Sequence, residues 1–87
     1  MNIMFSQNAL EDLDFLQVNL RKDAQRVVKL LKDISRTPFD GIGKPEPLKG
    51  ELSGYWSRRV NDKDRLIYKV ENSTVFVLTL RTHYFEK

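Results

Sequence analysis

A stretch of twelve residues, Phe39–Gly50, divides this chain into two halves with different hydrophobic periods. It holds three of the four glycines and two of the three prolines, so it is expected to form a loop. The helical half should end at Thr37-Pro38, because a residue that precedes proline avoids the helical region. Loops of this length in small domains are usually functional or disordered. Pro45 and Pro47 restrict the backbone, which favours an ordered, stiff loop.

Helical periodicity dominates the first half of the chain. A short apolar segment, Asn2–Phe5, predicts a strand, and Ser6 after it is a candidate N-cap. Leucines close to helical spacing predict a first helix over Gln7–Leu20. A second helix should follow as the other arm of a hairpin joined around Arg21-Lys22. The apolar stripe that predicts this second helix consists of Ala24, Val27, Val28, Leu31 and Ile34.

Alternating apolar and polar residues dominate the second half. They predict three strands, about Leu52–Val60, Arg65–Val70 and Thr74–Leu80. The resulting order β-α-α-β-β-β is an α+β fold, with a mostly antiparallel sheet and a two-helix hairpin packed on one face. The other face of the sheet should stay open. The face assigned to the helices carries Leu66, Tyr68, Leu78 and Leu80, which places Arg65, Arg81 and His83 on the open face.

Length and composition narrow the class of protein. A chain of 87 residues buries one modest core, so residues 1–87 are expected to be a single domain. The absence of cysteine excludes disulfides and thiolate metal sites. The longest apolar run, Val75–Leu78, is far too short to span a bilayer, and the N-terminus lacks the pattern of a secretory signal. These features predict a cytoplasmic protein without a membrane partner. The net charge of +3 permits a polyanionic partner without requiring one.

Two side chains are candidates for proton transfer. Glu46 lies between Pro45 and Pro47, which lowers the entropy lost when a general base is held in place. The ordinary interpretation of such a residue is a solvated loop acid. His83 is the single histidine, and its unperturbed pKa of ~6.5 suits a general acid or base, although a lone histidine is more often incidental. One histidine and scattered carboxylates do not predict a metal site.

Basic and aromatic residues near these two suggest a nucleic-acid substrate. Arginine binds phosphate through a rigid fork and is able to stabilise a pentavalent phosphorane, whereas the ordinary interpretation is a solvated surface charge. Tyr84 and Phe85 are candidates for base stacking, and Trp56 for the core. A carboxylate, a histidine and arginines suffice for RNA cleavage without metal or cofactor, because RNA carries its own 2′-hydroxyl nucleophile. The basic residues are Lys44, Lys49, Arg58, Arg59, Lys63, Arg65 and Lys69.

Three segments, RTPFDGIGKPEPLKGELSGYWSRRV, DRLIYKV and LRTHYF, resemble the YoeB branch of the RelE/ParE toxin superfamily. The resemblance implies a RelE-like, microbial-ribonuclease-type fold and a ribosome-dependent mRNA interferase that cuts messenger RNA in the decoding site. It also implies roles for Glu46 as general base, His83 as general acid and Arg65 as the group that stabilises the transition state. The residues that match RNA-positioning or charge-neutralising positions of the family are Lys49, Arg59 and Tyr84.

The same resemblance implies partners. A YefM-like antitoxin would fold an acidic, initially disordered segment onto the basic toxin. The toxin itself would bind the ribosome and mRNA. Toxins of this family are also able to form homodimers. Two alternatives stay open: a non-enzymatic inhibitor like the gyrase-poisoning ParE branch, and a module that binds RNA or ribosomes without cutting. Asp64 and the tail Phe85–Lys87 depart from the family pattern without removing an implied catalytic residue.

Overall fold

Two helices and one five-stranded sheet make up residues 1–81, the part of the chain that the computed structural model describes. The expectations for His83, Tyr84 and the tail Phe85–Lys87 lie outside these residues. The predicted α+β class is confirmed, with one more strand than the sequence indicated. The elements are β1 (Asn2–Phe5), α1 (Gln7–Asn19), α2 (Arg21–Arg36), β2 (Glu46–Pro47), β3 (Trp56–Arg59), β4 (Arg65–Glu71) and β5 (Thr74–Thr79).

The helical hairpin begins and ends close to the predicted residues. Ser6 caps α1, because its Oγ accepts a hydrogen bond from the backbone N–H of Ala9 at 2.9 Å. Leu20 separates the two helices, and α2 ends at Arg36, directly before Thr37-Pro38. The predicted stripe on α2 is buried except for Val28, which is 48% exposed. The buried side chains of α2 are Ala24, Val27, Leu30, Leu31, Asp33 and Ile34.

The strands lie in the order β1-β5-β4-β3-β2. All neighbours are antiparallel except β1 and β5, which pair in parallel. Side chains of both helices form one core cluster with β4 and β5, so the hairpin covers one face of the sheet as predicted. Within residues 1–81, no helix has the length and apolar character needed to cross a membrane.

A β-bulge in β5 changes which residues face the helices. Val77 lies opposite Tyr68 on β4, whereas Thr79 lies opposite Ile67, so Leu78 is an extra residue in the strand. The side-chain alternation is therefore reset at Leu78. The prediction that the Leu78 face of β5 packs on the helices was wrong, because it extended one alternation through the bulge. The core residues of this segment are Val75, Val77 and Leu80.

The predicted long loop contains a short strand, and the strand after it begins late. Glu46 and Pro47 form β2, which pairs at the sheet edge with Ser57 and Trp56. An edge position tolerates proline, because the missing N–H is not needed on the outer side. The next strand starts at Trp56 instead of Leu52, since a 3₁₀ turn and a tight turn occupy the residues between. Trp56 packs against the core cluster, as predicted.

Candidate functional site

A fully buried arginine lies behind the loop that leads to Glu46. Arg58 has 0% exposure, and all five of its N–H donors are used. Its side chain therefore holds the loop to the sheet, and its assignment to a phosphate-binding surface was wrong. The acceptors are Asp33 Oδ2 at 2.6 Å, the carbonyl oxygens of Ile42 (3.1 Å), Thr37 (2.7 Å) and Asp40 (2.8 Å), and Tyr68 Oη at 3.2 Å.

Asp33 and Tyr68 complete this network from α2 and β4. Asp33 Oδ2 also accepts the backbone N–H of Ile42 at 3.0 Å, and Tyr68 donates its hydroxyl to the carbonyl of Pro38. The Ile42 N–H and then the Arg58 guanidinium lower the pKa of Asp33 below its usual value. Burial raises the pKa of Tyr68, so its hydroxyl keeps the proton that it donates. The segment before Glu46 is thus bonded to both a helix and the sheet.

Two glycines allow the loop to approach this network. Gly41 has φ +120°, and a Cβ there would overlap Asp33 Oδ2. Gly43 has φ +81°, and a Cβ there would lie 2.8 Å from Leu30 Cδ2. Both positions therefore need a residue without a side chain and with a left-handed backbone. The glycines of the predicted loop serve an ordered structure.

The Asp33 interactions predict a dependence of stability on acid pH. The folded pKa of Asp33 lies below the unfolded value, so its contribution is complete above the unfolded pKa of about 4 and is lost as pH falls through the folded pKa. We expect the thermal unfolding midpoint of the wild type to decrease as the pH is lowered below about 4. The midpoint of Asp33→Asn should decrease less steeply over the same pH range, and this variant should be less stable than the wild type at pH 7. Thermal denaturation followed by circular dichroism at several pH values measures both. Identical slopes for the two proteins would contradict this assignment.

Glu46 and Arg65 meet on the sheet face that the helices leave uncovered. Glu46 Oε1 lies 3.4 Å from Arg65 Nη1, and the two side chains are 57% and 37% exposed. An exposed pair of this kind contributes only about 0–1 kcal/mol to stability, so a substrate phosphate is able to compete for the arginine at small cost. A carboxylate and a guanidinium in contact provide a proton acceptor and an anion-binding group in one place.

Arg59 and Lys49 extend the positive charge around this pair. Arg59 is exposed and lies directly opposite Arg65 in the register of β3 and β4. Like charges placed opposite each other repel, and an anion bound between them would remove that repulsion. The backbone N–H of Arg59 donates to the carbonyl oxygen of Gly43 at 2.7 Å, which connects β3 to the loop. Lys49 is exposed and precedes the 3₁₀ turn after Glu46.

Ser57 is a member of the site that the sequence did not indicate. It lies opposite Glu46 on β3, so both side chains are on the same face of the sheet. Its hydroxyl is buried, and the residues that the structure describes give it no hydrogen-bond partner. The register of β2 against β3 would have identified it, but β2 was interpreted as loop.

The C-terminal end of β5 is anchored to α1. The buried carboxylate of Asp12 accepts hydrogen bonds from the Thr79 hydroxyl at 2.8 Å and the Leu80 N–H at 3.0 Å. The Arg81 guanidinium carbon lies 4.0 Å from the centre of the Phe15 ring, also on α1. Arg81 was therefore wrongly placed with Arg65 on the open face. These contacts fix Thr79, the last residue of β5, and the two residues after it, whereas His83 lies beyond the described part.

Comparison with known proteins identifies the family. The model of the YoeB-like toxin of bacterial type II toxin-antitoxin system matches residues 5–84, so this chain belongs to that family of toxins. Toxin YoeB of Mycobacterium bovis is 49% identical over 95% of this chain and 98% of its own length.

Solved structures agree with this assignment. A YoeB/ParE toxin from Agrobacterium tumefaciens superposes with a TM-score of 0.92 at 37% identity, covering 97% of this chain and all of that one. Two Staphylococcus aureus structures, a heterotetrameric YoeB-YefM toxin-antitoxin complex and a YoeB dimer, each give a TM-score of 0.90 at 42% identity, covering 97% and 98%.

Proposed function

We propose that this toxin is a metal-independent endoribonuclease that cuts messenger RNA in the A site of the ribosome and thereby inhibits translation. The observation that carries the proposal is the contact of Glu46 with Arg65 on the uncovered sheet face, 3.4 Å apart and flanked by Arg59. Membership of the YoeB-like toxin family supports it independently.

The reaction assigns one role to each group. Glu46 takes the proton of the 2′-hydroxyl, whose oxygen attacks the adjacent phosphorus. Arg65 binds the phosphorane as its negative charge grows, a contribution typically worth about 10²–10³ in rate. The bond from phosphorus to the 5′-oxygen then breaks, and His83 protonates that oxygen. Lys49, Arg59 and Tyr84 hold and neutralise the RNA backbone. The products are a 2′,3′-cyclic phosphate and a 5′-hydroxyl.

The fold explains why such a reaction suits this loop. Pro45 and Pro47 restrict the backbone on both sides of Glu46, and the pairing of β2 with β3 fixes Glu46 opposite Ser57 in the sheet. Arg58 holds the preceding loop through three backbone carbonyls. A base held in this way loses little entropy on reaching its reactive geometry.

Partners and setting follow from the proposed activity. The S. aureus relative forms a complex with YefM, and we propose a YefM-like antitoxin for this chain, with an acidic segment attracted to its basic sheet face. A homodimer is proposed on the basis of the YoeB dimer. Residues 1–87 would act as one toxin domain in the cytoplasm, where ribosomes translate.

Primer extension on a defined messenger tests the activity. The wild-type protein is mixed with that messenger alone, or with ribosomes programmed by it. We expect a cut at the A-site codon that requires the ribosome, with a 2′,3′-cyclic phosphate detected by mass spectrometry of the fragments. A folded wild-type protein that binds ribosomes and leaves the RNA intact would replace the nuclease by a binding inhibitor. Recovery of gyrase instead of ribosomes would favour the ParE-like alternative.

A further inference from the structure

A cation lies between two aromatic rings on the same sheet face as Glu46 and Arg65. Lys69 Nζ is 5.4 Å from the centre of the Tyr55 ring and 5.7 Å from the centre of the Phe76 ring. Lys69 lies opposite Phe76 in the register of β4 and β5. The three side chains therefore form a row across the sheet, which we call the aromatic row.

The aromatic row borders a shallow pocket. Its volume is about 340 Å³, and its walls include Met4 and Leu78 together with the three members of the row. Volumes near 300 Å³ are at the lower end of small-ligand pockets, which suits one flat ring system better than a folded protein element. The pocket is lined mainly by apolar groups, and Lys69 is the single cationic residue in its lining.

The position of the aromatic row relates it to the proposed cleavage site. Tyr55 precedes Ser57 by two residues, and Ser57 lies opposite Glu46. Lys69 follows Ile67 by two residues, and Ile67 lies opposite Ser57. Two residues along a strand span ~6.6 Å, so the aromatic row and the row that contains Glu46 are adjacent.

We propose that Tyr55, Lys69 and Phe76 bind the nucleobase of a nucleotide next to the scissile phosphate. Exposed aromatic rings stack on unpaired bases, and a neighbouring cation adds an attraction to the π-face of the base. Lys69 also pairs with Glu71 at 3.6 Å, and both side chains are partly exposed, so a nearby phosphate is able to displace Glu71. This inference rests on the proposed nuclease function and adds a base-binding subsite to it.

The aromatic row would act by positioning. Stacking accepts any base, because every base has a π-face, so the row should strengthen RNA binding without selecting a codon. The aromatic row lies ~6.6 Å along the strands from the row of Glu46, on the side away from Arg65, and its members are on β3, β4 and β5, one to three strands from Glu46. A base bound there would fix the path of the RNA backbone as it runs past Glu46 towards Arg65. Loss of the row should raise the half-saturating concentration of toxin more than it lowers the maximal rate.

Cleavage kinetics of ring variants test this subsite. Toxin is titrated against limiting programmed ribosomes, with Phe76→Leu, Phe76→Tyr and the wild type compared. We expect Phe76→Leu to raise the half-saturating concentration about 5- to 150-fold, the range expected for loss of one base stack, and Phe76→Tyr to restore it. Leu10→Ala, which changes an exposed apolar side chain on α1, should behave as the wild type. Circular dichroism verifies that each variant is folded.

Modified messengers identify the contacted nucleotide. An abasic ribonucleotide is placed on either side of the cut in turn. One of the two should weaken wild-type cleavage as much as Phe76→Leu does, and should add nothing further to Phe76→Leu, because both changes remove the same contact. Losses that multiply at both positions would overturn the subsite.

The remaining outcomes separate this inference from the proposed function. Normal cleavage by wild type and Phe76→Leu alike would overturn the subsite and leave the nuclease intact. If Phe76→Leu cleaves normally but loses binding to purified antitoxin, the aromatic row is a protein-docking surface and the inference is wrong. A wild type that makes no cut overturns both proposals.

Discussion

Replacing Glu46 by glutamine is expected to lower the single-turnover rate of mRNA cleavage on programmed ribosomes by about 10²–10⁴-fold. Glutamine has nearly the same size as glutamate but does not accept the proton of the 2′-hydroxyl. The side chain is 57% exposed, and its contact with Arg65 is a weak surface pair, so the fold should not change. The reduced rate would then report lost proton transfer and not lost structure.

A matched control for this variant is available within the same region. Glu51 is an exposed glutamate in the 3₁₀ turn, and Glu51→Gln makes the same change in charge. Its cleavage rate should equal that of the wild type. Both variants should bind antitoxin as the wild type does. Equal rates for Glu46→Gln and wild type would remove Glu46 from the reaction and leave it as an ordinary solvated acid on the edge strand.

Replacing Arg58 by methionine is expected to reduce the free energy of unfolding by about 3–5 kcal/mol. The variant leaves Asp33 without its buried cationic partner and three loop carbonyls without their donor. An 87-residue chain has a total stability of only about 4–13 kcal/mol, so the loss is a large fraction. Urea unfolding followed by the fluorescence of Trp56, the single tryptophan, measures it.

The neighbouring arginine provides the control for this measurement. Arg59 points to the opposite face and is exposed, so Arg59→Met should change the stability by no more than about 0.5 kcal/mol. If Arg58→Met does not fold, Tyr68→Phe removes a single hydroxyl from the same network and should cost about 1–3 kcal/mol. Equal stabilities for the Arg58 and Arg59 variants, or no loss in Tyr68→Phe, would contradict the network.

Local signals were sufficient for most of the fold. Ser6 as N-cap, the end of α2 before Pro38 and the strands β4 and β5 follow from propensity, capping and alternation, and the structure confirms each. The face of β5 did not follow, because a bulge at Leu78 depends on pairing with β4. Nor did β2, since a two-residue strand that contains a proline has no periodicity of its own.

The positions of the candidate site residues on the sheet were also predicted only in part. Glu46 was identified by its flanking prolines, and Arg65 and Arg59 by strand position and family resemblance, and all three lie on the uncovered face. Arg58 was misassigned because adjacent residues of a strand point to opposite faces, and composition does not tell which arginine is buried. The role of Asp33 could not be predicted from α2 alone, because its hydrogen-bond partners lie in a distant loop and strand.

The parallel pairing of β1 with β5 determines when the sheet is completed during synthesis of the chain. Asn2–Phe5 is synthesised before its hydrogen-bond partner, Thr74–Thr79, with both helices and the rest of the sheet made in between. Loop closure over such a separation comes late in folding. A nascent chain that lacks β5 also lacks the neighbour of both β1 and β4, so the sheet that carries Glu46 and Arg65 is incomplete. The topology thus delays completion of the sheet that carries Glu46 and Arg65 until β5 has been synthesised.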